Sequence, residues 1–350
     1  MKYIDLHCDT LMMFAGEGGN LYENTMAVDI KRLEKGDCLA QFFAVWMPDA
    51  QGLSEFRETG LCDALSGELS PEEWDDAYIG RLASCLTAAC REHGDEISMA
   101  FCREDLEKNE RAGRMSAFLT LEDGRAVRGS LERLKGFYDL GVRLITLTWN
   151  GDNCFGRANY QAASFGGRGS GLADFGKEAV RYMNELGMIV DVSHLSDEGF
   201  YDVAAVSEKP FIASHSNARA LTYCSRNLSD DMLRILGERG GVTGLNFACE
   251  FLEEHPGSRE SAVSRMAAHA RYIVNCGGEE VLALGSDLDG VGGRLEIPSP
   301  DRMGLLWEGL KKAGLTERQI ELAARKNAER VIGEITGTGQ RAPIGANRAC

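Results

Sequence analysis

Apolar residues gather in eight short runs, at 3–8, 39–46, 115–121, 143–148, 188–192, 211–214, 242–247 and 281–285. Several are continuous, such as Met188-Ile189-Val190-Asp191-Val192, where a single acid interrupts the run. Strands covered on both faces by helices read this way, whereas a strand with one wet face alternates. Between the runs lie stretches of helical period, at 71–94, 173–187, 229–240 and 258–276. A further helix opens on a capping box, with Thr316 as N-cap and Gln319 three residues on, and extends to about Ile335. Strand–helix alternation repeated eight times predicts a closed parallel (β/α)8 barrel of the TIM type. An open doubly wound sheet is the alternative, but no GxGxxG follows the first strand.

Two connections exceed what a minimal barrel needs: 48–73 after the second strand and the Gly/Asn/Ser-rich 150–171 after the fourth. Both are expected on the face where barrel active sites are built. No linker divides the chain. Residues 1–336 are therefore expected to form a single barrel domain, and 337–350 a flexible tail.

Composition narrows the function. The chain has 350 residues, 44% of them hydrophobic, and a net charge of −16. That balance argues against a general nucleic-acid binder, which needs a basic surface. No run of about 18 apolar residues exists, so no membrane span is expected. The opening MKYIDLHCDT carries Lys2, Asp5, His7 and Asp9 and lacks the apolar core of a secretory leader. The eleven cysteines are scattered without a CxxC pair and read as reduced thiols of a cytoplasmic protein.

Candidate chemistry collects at strand ends. Of the six histidines, His93, His255 and His269 fall in helical or loop segments and are expected to be solvated or capping. His7, His194 and His215 each end a predicted strand. In Asp5-Leu6-His7-Cys8-Asp9 the i, i+2 spacing projects His7 and Asp9 to one face, where they can share a divalent ion. A hydrogen-bonded His–Asp pair is the other reading of that segment. Glu122 and Asp287 likewise end apolar runs, and a carboxylate so placed must be paired, metal-bound or protonated. A barrel brings these five strand ends around one mouth. Three histidines, two aspartates and a glutamate exceed a single tetrahedral shell, which suggests two metal ions, a pairing suited to hydrolysis.

With these motifs in place, the sequence resembles the membrane or renal dipeptidases and their bacterial relatives, metallopeptidases of the amidohydrolase-like barrel superfamily. The resemblance rests on Asp5-Leu6-His7-Cys8-Asp9-Thr10, Leu121-Glu122-Asp123-Gly124, Leu147-Thr148-Trp149-Asn150, Asp191-Val192-Ser193-His194, Ala213-Ser214-His215-Ser216, Ser225-Arg226-Asn227-Leu228, the 241–247 segment and Gly285-Ser286-Asp287-Leu288-Asp289-Gly290, in family order. It implies a zinc-dependent dipeptidase with two zinc ions. His7 and Asp9 would hold one, His194 and His215 the other, and Glu122 would bridge them. Asp287 would handle the proton or the substrate's amine. Arg226 would grip the C-terminal carboxylate, a task suited to the guanidinium fork. Asn246 and Asn150 are further candidate substrate contacts. The family also implies tolerance of D-residues at the C-terminal position and, often, a homodimer.

The chain departs from mammalian members at Trp149, which stands where they carry a histidine thought to polarise the scissile carbonyl. An indole cannot become a cation near neutral pH. Trp149 then shapes the pocket, or Asn150 or Asn153 substitutes. Two competitors follow: a related metallohydrolase acting on a lactone, an N-acyl amino acid or a cyclic amide, and a non-catalytic metal-binding barrel.

Overall fold

The computed structural model describes residues 1–15, 19–48, 70–159, 171–253 and 259–337. Eight parallel strands close into a barrel. In chain order they are β1 (Tyr3–Cys8), β2 (Cys38–Trp46), β3 (Met115–Glu122), β4 (Val142–Thr146), β5 (Ile189–Asp191), β6 (Ile212–Ala213), β7 (Val242–Leu245) and β8 (Leu282–Leu284). Each pairs with the next, and β8 pairs with β1. The predicted barrel is therefore present. A short extra strand, Ile97–Met99, lies along the first half of β3, leaving the second half to β4.

Strand alternation separates two apolar layers. Ile4, Phe42, Phe118, Leu144, Ile189, Ile212, Val242 and Ala283, one from each barrel strand, form one cluster that fills the interior. Phe42 and Phe118 are paired in register, and their rings stack at 4.5 Å. The helix Asn327–Thr336 closes this layer with Ala328, Val331, Ile332 and Ile335. The second, larger cluster lies between strands and outer helices and takes the opposite strand faces, for example Phe43, Val45, Leu119 and Leu121. On β3 the inward series Phe118, Thr120 and Glu122 is fully buried and ends at the mouth.

Several expected boundaries shift. Strands β4 to β8 are shorter than their apolar runs, and just past the ends of β6 and β8 side chains take over backbone N–H groups. Asp191 accepts from the Ser214 N–H at 2.8 Å, and Asp5 from the Ser286 N–H at 2.8 Å. The predicted helix at 258–276 begins only at Val263 and ends at Gly277; Glu260–Ser261 is extended and pairs with Arg294–Leu295. The Thr316 capping box is present, but its helix breaks into Glu317–Glu321, a π-helical turn at Leu322–Lys326, and Asn327–Thr336. Helices at Arg103–Arg111, Leu131–Leu140, Asp197–Val206 and Gly304–Lys312 had no sequence expectation. Of the two long connections, only 48, 70–73, 150–159 and 171 fall among the described residues, and 338–350 lie outside them. The nine cysteines among the described residues are all unpaired. No described helix is long and apolar enough to cross a membrane.

Candidate active site

The C-terminal strand ends surround a cavity of about 600 Å³. A register shift between Asp5 and Cys8 adds one residue to β1 relative to β2. It inverts the strand's parity, so that Leu6 belongs to the interior cluster while His7 and Asp9 also turn to the mouth. His7 Nε2 faces three carboxylates, Asp9 at 3.5 Å, Glu122 at 3.7 Å and Asp287 at 3.8 Å.

Glu122 stands at the centre. Its Oε2 faces His7, while Oε1 lies 3.2 Å from His194 Nε2 and 3.4 Å from His215 Nε2. The two latter nitrogens are 3.0 Å apart. Three overlapping donor sets result: His7, Asp9 and Glu122; Glu122, His194 and His215; and His7, His215 and Asp287. Within each, the ligand atoms all lie within 4.8 Å of one another. All six sequence-predicted residues are thus brought together from five strand ends. Left-handed backbone aims two of them, with φ of 66° at His194 and 62° at Asp287, a conformation seldom adopted by non-glycine residues.

Buried carboxylates brace the ring from behind. Asp191 accepts from Thr146 Oγ1 at 2.6 Å, the Ser193 N–H at 3.0 Å, the Ser214 N–H at 2.8 Å and Ser214 Oγ at 2.6 Å. Ser214 Oγ in turn lies 2.7 Å from His215 Nδ1. Asp5 does the same on the far side, accepting from the N–H and Oγ of Ser286. Asn150 Oδ1 reaches His194 Nδ1 at 3.3 Å. Outer partners of this kind fix the orientation of metal-ligating imidazoles. Neither Asp5 nor Asp191 was singled out from sequence. The signal was there, an acid inside an apolar strand, which demands partners.

The electrostatics are those of a crowded anionic ring. Burial drives Glu122 well above the usual carboxylate range, against the pull of His7. Burial also raises Asp287, to about 7. Burial opposes protonation of His7, but Glu122, Asp9 and Asp287 outweigh it and lift the imidazole to about 10. Burial, with Arg226 and His7 adding to it, holds His194 and His215 well below the ordinary imidazole value. His7 Nε2 and Asp9 Oδ1 are buried without a hydrogen-bond partner, although buried polar atoms ordinarily have one. Neutral imidazoles at His194 and His215, clustered carboxylates, and a His7 whose proton a divalent ion would displace fit divalent cations with a nitrogen and oxygen preference, zinc among them.

The remaining candidates divide. Arg226 lines the cavity; its Nη1 donates to Ser216 Oγ at 3.2 Å, its Nη2 to the His215 carbonyl at 3.3 Å, and its Nε has no partner. Trp149 also lines the cavity, edge-on to Trp46 at 5.2 Å. Asn153 is occupied elsewhere, donating to Asp123 and the Leu147 carbonyl. Asn246, expected to touch substrate, is fully buried. Its amide donates to Asp287 Oδ2 at 2.8 Å and to the His215 carbonyl at 3.2 Å, and its oxygen accepts from the Ala248 N–H. It holds Asp287 and does not line the cavity. His269 corrects the expectation of a solvated or capping histidine: it is 0% exposed. It accepts from the Ala218 N–H at 3.2 Å and contacts Thr222 Oγ1 and the Leu252 carbonyl. His255 lies outside the described residues, and His93 stacks on Tyr22.

Comparison with known proteins gives a consistent picture. The sequence model of the membrane dipeptidase family (peptidase family M19) matches residues 1–344. An uncharacterized dipeptidase of Schizosaccharomyces pombe is 38% identical over 202 residues, 57% of this chain and 48% of that protein. An uncharacterized Klebsiella pneumoniae protein of the pqqA 5′ region is 36% identical over 230 residues, 64% of this chain and 76% of that protein. The match thus spans about half the length of the first relative and about three quarters of the second. A crystal structure of a Rhodobacter sphaeroides metallopeptidase, liganded with a phosphinate mimic of L-Ala-D-Ala, superposes with a TM-score of 0.83. It is 24% identical and covers 96% of this chain and 99% of its own, a likeness of fold.

Proposed function

We propose that this chain, which belongs to the membrane dipeptidase family (peptidase family M19), is a metal-dependent dipeptidase that hydrolyses the peptide bond of dipeptides. The observation that carries the reading is Glu122, whose two oxygens face different imidazole sets, His7 on one side and His194 with His215 on the other. In this reading His7 and Asp9 would hold one zinc ion and His194 and His215 a second, with Glu122 standing between the two sets. When bound, such ions act as Lewis acids and lower the pKa of water to make a nucleophile at neutral pH.

The chain's own residues supply recognition and proton handling. A dipeptide has a carboxylate and an ammonium at opposite ends. Arg226 is anchored by two donated bonds and lines the cavity, so its guanidinium is set to receive the carboxylate through charge-assisted bonds. Asp287 is held at Oδ2 by Asn246, which leaves Oδ1, on the side of His7, to take a proton and hand it to the leaving amine. Asn150 steadies His194, and Trp149, which cannot supply a cation, shapes the pocket. Hydrolysis of substrates with a C-terminal D-residue is part of the proposal, supported by the family resemblance and by the L-Ala-D-Ala mimic in the Rhodobacter sphaeroides structure. So is a cytoplasmic setting, supported by the unpaired cysteines.

The test is Arg226→Ala assayed on Leu-Ala. The proposal expects a steep rise in KM, and an unchanged KM would sink the carboxylate assignment. The indole at 149 favours one second reading, a metallohydrolase for lactones, N-acyl amino acids or cyclic amides. A panel of paired open and cyclic substrates separates the two, since only the dipeptidase reading expects the open dipeptides to be turned over faster.

A further inference from the structure

We infer that Trp46 and Trp149 form the subsite for the side chain of the substrate's N-terminal residue, and that the enzyme selects dipeptides with a large apolar residue there. This deepens the dipeptidase reading and rests on it. The order of strands around the barrel carries the argument. With eight strands closed in sequence order, β2, β3 and β4 stand across the mouth from β6, β7 and β8. Trp46 ends β2, and Trp149 follows β4. Glu122, at the end of β3, lies between them in the ring. Arg226 follows β6, and its guanidinium packs 5.2 Å from the Phe251 ring, which follows β7.

A dipeptide anchored by its carboxylate at Arg226 places its peptide carbonyl about one residue's reach inward, toward Glu122 and the imidazoles. Everything beyond that carbonyl belongs to the N-terminal residue and points toward the β2–β4 side. Two groups leave its Cα. The ammonium finds a carboxylate on the β8–β1 flank, where Asp287 lines the cavity. Asp289 lines the same flank, but its oxygens are taken by Thr10 and by the Ala27 and Val28 N–H groups. The side chain is left with the two indoles. Their planes meet at 76° with centroids 5.2 Å apart, and both are partly exposed to the cavity beside Met12. That corner is apolar and aromatic and gives a flat or branched hydrocarbon a large contact area. Five acids, Asp9, Glu122, Asp287, Asp289 and Glu250, also line the cavity, so an acidic N-terminal side chain meets repulsion.

The experiment compares kcat/KM for Phe-Ala, Leu-Ala, Gly-Ala and Asp-Ala with the metal-loaded enzyme, its Trp149→Ala variant and its Trp149→Phe variant, with a thermal melt of each. The wild type is expected to favour Phe-Ala and Leu-Ala over Gly-Ala by roughly 10- to 100-fold, the scale of discrimination in a hydrophobic pocket, with Asp-Ala slowest. Trp149→Ala should reduce the Phe-Ala to Gly-Ala ratio to within about threefold, and Trp149→Phe should keep most of it. Equal wild-type rates on Phe-Ala and Gly-Ala would overturn the subsite while leaving the dipeptidase reading intact. An unchanged ratio in Trp149→Ala would overturn the assignment to this wall. If Trp149→Ala does not fold, the wild-type ratios still decide. No turnover of any of the four by enzyme with bound metal would overturn the dipeptidase reading underneath.

Discussion

A single methyl group at position 290 should disable the site without unfolding the barrel. Gly290 lies three residues past Asp287, and its N–H donates to the Asp287 carbonyl at 3.1 Å. A β-carbon there would stand 2.0 Å from Asp9 Oδ2 and 2.6 Å from Asp287 Oδ1. Asp9 Oδ2 would have to retreat by about 1 Å to reach even the closest contact a β-carbon tolerates. The backbone cannot absorb this shift easily, because the Asp9 N–H is bonded to the Leu288 carbonyl of the same loop at 3.0 Å. Gly290 does not occupy the left-handed region, so Gly290→Ala acts by contact and not by backbone strain. Misplacement of a catalytic group by about 1 Å costs on the order of 100-fold in rate, and disturbing the support of a metal ligand costs about 10- to 100-fold in affinity. We therefore expect Gly290→Ala to lose metal and to retain about 1% or less of wild-type kcat/KM on Leu-Ala. Its melting temperature should stay within a few degrees. The assay is metal content by plasma mass spectrometry, kinetics at saturating added metal, and circular dichroism on heating. Wild-type metal content together with kcat/KM within about twofold of wild type would refute the reasoning.

Three further outcomes are expected. Arg226→Lys should raise KM for dipeptides by roughly 10- to 100-fold with a smaller change in kcat, because an ammonium cannot offer two parallel bonds; steady-state kinetics decide. Asp191→Ala leaves the donors of Thr146, Ser193 and Ser214 unpaired in the interior, and should cost roughly 3–5 kcal/mol in urea unfolding. His269 titrates at about 4, lowered chiefly by burial. Its folded pKa lies below the unfolded value of about 6.5, so the unfolded chain binds more protons between those pH values. Its contribution is complete above about pH 6.5 and is lost as pH falls toward 4, about 3 kcal/mol in all. Chemical denaturation of wild type and His269→Phe across that window should give a steeper slope for the wild type, and parallel curves would contradict this.

The barrel was legible because burial on both faces leaves continuous apolar runs, and each of the eight core strands lies on one of those runs, to within one or two residues at its ends. Elements with little apolar content were not legible. The helix Arg103–Arg111 buries only Leu106 and Asn109, and Ile97–Met99 has three residues. The six converging residues could be named because each ends a strand, and closure of the barrel then sets their meeting point. What lay behind them was harder to read. Asp5 and Asp191 look in sequence like interruptions of a strand, and only the fold reveals the hydroxyls and N–H groups that each one gathers. The i, i+2 argument for His7 and Asp9 reached the right face, yet it missed the register shift that lets Leu6 and His7 both turn inward. The resemblance made Asn246 a candidate substrate contact, but Asp287, the His215 carbonyl and the Ala248 N–H take up its side-chain amide. His269 sat in a helical pattern with no sign of depth, since the segments it ties together, near Ala218 and Leu252, are distant in sequence.

The most direct test of the account is to count metal ions on protein purified without chelator and to follow Leu-Ala hydrolysis before and after chelation. The account predicts close to two divalent ions per chain, activity lost with the metal, and activity restored by zinc. A protein that binds no divalent metal even after reconstitution, or that hydrolyses Leu-Ala equally well without it, would contradict the central claim.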